Sequence, residues 1–107
     1  MVDKFKRILS IAKKDVLKLE QAEKSYGTSW RKRGGVGAFM MLARKWDRIE
    51  QQVHIQEYDI FKAYAKDKRT EGVLDDIQDL RRYLLLVEIL VSMNQENTSP
   101  IVYLERK

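Results

Sequence analysis

Four carboxylates stand out by their spacing. Asp47 and Glu50 are three residues apart, and so are Asp76 and Asp79; residues three apart share one face of a helix. At ~100° per residue, Glu50 falls between Ala43 and Trp46 inside an apolar stripe, and Asp76 lies at the edge of another. If the two stripes pack together, several of these acids meet in a small space, which is costly unless positive charge balances it. A hard divalent cation such as Mg²⁺ does this naturally, and it also neutralises phosphate charge and activates water for attack at phosphorus. The competing reading pairs the acids with Arg44, Arg48, Arg81 or Arg82 at a helix interface.

A second group has the opposite charge. The stretch from Ser25 to Gly35 carries Arg31, Lys32 and Arg33 in succession with no acid to offset them, and glycines at 27, 34 and 35. These cations suit phosphate contacts, and glycine turns let backbone N–H groups approach an anion. The start of the helix that follows, near Val36, adds its positive dipole end. Tyr26 and Trp30 can stack on a base or pack into the core. His54, the single histidine, has no partner pattern and reads as a surface or interface residue. Met40, Met41 and Trp46 read as core or subunit contacts. No Walker loop, dinucleotide fingerprint or nucleophile–base arrangement is present.

The elements that must position these groups are helical. From Asp3 to Lys24, Phe5, Ile8, Leu9, Ala12, Val16 and Leu19 recur at helical spacing. Asp15 and Glu23 fall on or beside that stripe and are expected to reach water from its edge or end. A second helix is expected from about Val36 to Val53, with Phe39, Leu42, Ala43, Trp46, Ile49 and Val53 inward. Ile55 to Arg69 is less regular and suits a short helix or an ordered connection. A last long helix is expected from about Glu71 to Ser92, with Thr70 as its cap. Its inward residues are Leu74, Ile77, Leu80, Leu84, Val87 and Val91, and past Tyr83 it is apolar almost all round. Residues 94–107 read as a polar linker and tail, leaving 1–93 as one domain. The fold class is all-α: a small antiparallel bundle of three long helices and a short one, completed by homo-oligomerisation because one short chain does not cover that apolar end.

With 107 residues, 44% hydrophobic and 35% charged, the chain excludes disorder, collagen-like repeats and low-complexity tracts. No apolar run approaches the ~18 residues of a membrane span. Lys and Arg total 21 against 16 acids, for a net charge of +5, which suits an anionic partner without demanding one. The absence of cysteine fits a reducing compartment, and the N-terminus lacks the apolar core of a secretion signal. A cytoplasmic protein is expected.

The pairs Asp47-x-x-Glu50 and Asp76-x-x-Asp79, the second leading into Leu80 and Tyr83-Leu84-Leu85-Leu86, resemble the acidic motifs of the MazG-like all-α nucleotide pyrophosphohydrolases. A closer similarity is to the nucleotide-modification-associated domain of bacteria and phages. It is carried by Tyr26-Gly27-x-x-Trp30-Arg31, Lys45-Trp46-Asp47-Arg48 and Asp75-x-x-x-Asp79-Leu80-x-x-Tyr83, and it spans roughly Glu20 to Val91. The sequence departs from the hydrolase pattern in having Asp47 and Asp76 where glutamate is favoured, and Arg81 and Arg82 beside the acids. The resemblance implies a nucleotide or nucleotide-like ligand held by Tyr26, Trp30, Arg31, Lys32 and Arg33. It further implies Mg²⁺ on Asp47, Glu50, Asp76 and Asp79, with Glu50, Asp76 and Asp79 promoting α–β phosphate cleavage, and a place in phage nucleotide metabolism. Two other expectations stand beside it: a binder that sequesters a nucleotide or nucleotide-derived signal without chemistry, and a nucleic-acid accessory protein using the basic loop and the Lys-rich first helix.

Overall fold

The computed structural model describes residues 3–27 and 29–96 and is all-helical across them. Helix α1 spans Lys4–Tyr26, α2 Gly34–Ile55, α3 Ile60–Lys66 and α4 Val73–Glu96, with a short 3-10 turn at Ser29–Arg31 between α1 and α2. None of these helices is long and apolar enough to cross a membrane. The expected linker begins inside α4, which continues to Glu96, and the rest of the expected tail lies outside the described residues.

Local chemistry sets most boundaries. Asp3 caps α1 by accepting the Phe5 N–H at 2.9 Å, and Asp59 caps α3 by accepting the Phe61 and Lys62 N–H groups. Gly27 ends α1 at φ 62, in the left-handed region that glycine enters without a Cβ penalty, and its N–H donates to Glu23 O at 2.8 Å. The cap expected at Thr70 is displaced: α4 starts at Val73, whose N–H donates to Asp67 Oδ2 at 2.9 Å. Between α2 and α3, Glu57 and Tyr58 both take positive φ.

Helices α2 and α4 form the principal pair. They run antiparallel, since Arg48 near the end of α2 meets Asp76 near the start of α4, while Leu42 shares a cavity with Leu90. The pair and α3 bury a small core of Ile49, Ala63 and Val73. Helix α1 has no comparably extensive contact with any other element.

Two expectations about α1 are overturned. Its apolar stripe does not face inward: Phe5, Leu9 and Val16 are 66%, 63% and 55% exposed. Asp15, expected to reach water, is 2% exposed, because Arg81 and Arg82 of α4 bond its two oxygens at 2.6–2.8 Å. Bidentate charge-assisted hydrogen bonds of this kind are the strong ones, and they decide which side of α1 faces the body. Phe39, Trp46, Leu74, Leu84 and Val91 are likewise exposed rather than inward.

Candidate functional site

A cavity lies where the end of α1, the 3-10 turn, the start of α2 and the middle of α4 converge. It has a volume of about 610 Å³, within the range typical of small-molecule sites. Tyr26, Trp30 and Tyr83 bring three aromatic rings to its wall, and Lys18, Arg33 and Arg82 bring three cations. Asp79 lines the same space, with one oxygen 3.0 Å from Lys45 Nζ.

Each element reaches this space for a traceable reason. Lys18, Leu19, Ala22 and Tyr26 follow Asp15 at three- and four-residue intervals, so the charge pairing that turns Asp15 inward turns them inward too. Gly37 also lines the cavity and lets α2 start tightly: a Cβ there would sit 2.7 Å from the Arg33 Cβ. Gly34, at φ 73, makes the turn that brings Arg33 to the wall.

The basic loop therefore divides its labour. Of Arg31, Lys32 and Arg33, the last lines the main cavity, Arg31 lines a separate apolar groove with Trp30, and Lys32 is exposed and lines neither. Lys18 and Arg82 are the cations that sequence reasoning missed. The signal was available in Asp15: read as an ion-pair partner of α4, it marks the inward side of α1 and with it Lys18.

The four acids occupy three different environments. Asp76 is buried and clamped by Arg48 Nε at 2.7 Å and Arg69 at 3.3 Å. Asp79 lies in the main cavity. Asp47 and Glu50 are exposed and line a shallow depression with Arg44, Arg48, Gln51, His54 and Tyr58. There the Tyr58 hydroxyl lies 3.1 Å from His54 Nδ1. Among the described residues, no group of three or more Asp, Glu or His side chains is placed to hold a metal ion. Arg48 and Arg69 already pair Asp76, the buried member of the four.

Asp67 completes the clamp on α4. It accepts from the Arg69 guanidinium at 2.7–3.1 Å, from the Arg69 N–H and from the Val73 N–H. The Arg69 side chain, then its N–H, holds the Asp67 carboxyl down at about 2. Arg81, with Arg82 in support, holds Asp15 below its ordinary value despite burial, and Asp15 in turn raises Arg81. These groups stay ionised at neutral pH and act as structural charges.

Compared with known proteins, the chain matches no family model, no curated protein and no solved structure.

Proposed function

We propose that this chain binds a nucleotide or nucleotide-derived anion in the cavity between α1, the 3-10 turn, α2 and α4, and that binding needs no metal. The observation that carries this reading is the convergence of Tyr26, Trp30 and Tyr83 with Lys18, Arg33 and Arg82 around one space. Stacking on an aromatic face contributes ~1–3 kcal/mol per base, and arginine forks match phosphate oxygens. The ring faces suit a base, and the cations suit the phosphates. The chemistry suits sequestration in the cytoplasm, where a cysteine-free chain is at home, by a protein that associates with itself.

Hydrolysis of the α–β phosphate bond, which the resemblance implies, would need a metal site that the described acids do not assemble. Asp79 is the expected catalytic acid that shares the ligand cavity, and Lys45 pairs it.

The test is a calorimetric titration with a panel of ribo- and deoxynucleoside triphosphates in chelator, repeated in Mg²⁺ with chromatography of the products. Saturable binding in chelator, weakened roughly tenfold or more by Trp30→Ala and without product, is the expected result. Binding only in Mg²⁺, with monophosphate and pyrophosphate formed and both lost in Asp79→Asn, would replace this reading with the hydrolase.

A further inference from the structure

At ~100° per residue, the side of α1 that faces its own body is marked by Asp15, Leu19, Ala22 and Tyr26. The stripe of Phe5, Leu9, Ala12 and Val16 lies about 90° further round. The charge pairing that anchors α1 thus leaves its main apolar stripe unpartnered.

A second unpartnered surface lies on the α2/α4 pair. A groove of about 460 Å³ is lined by Ala38, Phe39, Leu42, Val87, Leu90 and Val91. It continues onto Trp46, two turns after Phe39 on the same side of α2, and Phe39 and Trp46 are 64% and 55% exposed. We propose that α1 of one copy seats its stripe in the α2/α4 groove of a second copy, and that the second copy returns the contact through a two-fold axis.

Charge disfavours stripe against stripe. Helix α1 carries seven cations and three acids, with Lys6 and Lys13 flanking the stripe on its outer side. Two such helices face to face would oppose like charges. Beside the groove, Glu88 lies one turn beyond Leu84 on α4, exposed and without an ion-pair partner among the described residues, while Arg31 lines the groove itself and Glu50 lines the separate depression with Arg44 and Arg48.

Area points the same way. A large apolar side chain left half exposed offers ~100 Å². The stripe and the groove then supply roughly 400 Å² each, and a reciprocal exchange covers both. That reaches the ~800 Å² per partner of a stable interface, whereas stripe against stripe covers half as much and leaves the groove open. In a two-fold dimer each contact between α1 and the groove occurs twice.

Sedimentation without nucleotide tests the proposal independently of the cavity's ligand. The wild-type chain should sediment as a dimer at micromolar concentration. Leu9→Asp and Phe39→Asp should each shift it to monomer while helical circular dichroism persists, since both sites are exposed. Leu17→Asp, about 100° off the stripe, should leave the dimer intact. Because the chain has no cysteine, a bismaleimide should join a mixture of Leu9→Cys and Phe39→Cys chains into a covalent dimer and leave either alone unjoined. A wild-type monomer, or efficient joining of Leu9→Cys chains alone, would overturn the proposal.

Discussion

The start and the middle of α4 are held by similar ion pairs with different surroundings. At its start, the buried Asp76 pairs with Arg48 and Arg69, and the half-buried Asp67 just before the helix pairs with Arg69, beside the fully buried Val73 and with Ile49 and Ala63 in the same core. Further along, Arg81 and Arg82 hold Asp15 of α1, but the apolar residues of α1 turn to solvent. In the first region charge and apolar burial support each other. In the second, charge alone sets the orientation, and the space beside it is left open as a cavity. A buried ion pair is weak evidence of stability but a strong constraint on which sides meet. The contrast explains why the cavity forms along α1 and not in the clamped region.

The largest effect should come from breaking the clamp. Arg48→Met leaves the buried Asp76 carboxylate with only Arg69 at 3.3 Å. Losing one partner of a buried pair costs ~3–5 kcal/mol, and the remaining arginine reduces this to ~2–3 kcal/mol. The urea midpoint should fall with an unchanged slope. Asp15→Ala should cost less, ~1–2 kcal/mol, because the freed arginines can reach water. Its signature is local: amide exchange should speed up in α1 while α2 and α4 keep their protection. Equal loss of protection in all three helices would contradict the contrast.

A smaller, graded effect should appear in acid. Asp67 sits at about 2 against an ordinary 3.8, and Asp15 is also depressed. A carboxyl with a lowered folded value contributes stability that is fully present above its unfolded value and is lost as pH falls through the folded one. Stability should therefore fall between about pH 4 and 2. Asp67→Asn should flatten that limb, as followed by thermal unfolding at each pH.

The helices were legible in the sequence because periodicity, Asp3, the glycine breaks and a single proline all acted locally. The second helix begins at Gly34 rather than Val36, and the irregular stretch contains α3 behind the Asp59 cap. What was not legible was rotation. Phe5, Leu9 and Val16 form a normal inward stripe by periodicity yet are exposed, and the pairing of Asp15 with Arg81 and Arg82, 66 and 67 residues away, marks the side of α1 that meets α4. The surroundings of the acids were not legible either. Their spacing is compatible with a shared cation, but Arg69 lies in an irregular segment whose reach to Asp76 no helical pattern announces. Of the expected aromatic and cationic residues, Tyr26, Trp30 and Arg33 line one cavity, together with Lys18 and Arg82.

On the proposed function, a nucleotide occupies the cavity along α1 and not the acidic depression on α2. Amide chemical-shift mapping with a nucleoside triphosphate in chelator tests this most directly. The largest shifts should fall on Lys18 to Tyr26, Trp30, Gly37 and Tyr83, with Asp47, Glu50 and His54 unmoved. Shifts centred on Asp47, Glu50 and His54, appearing only when Mg²⁺ is added, would contradict it.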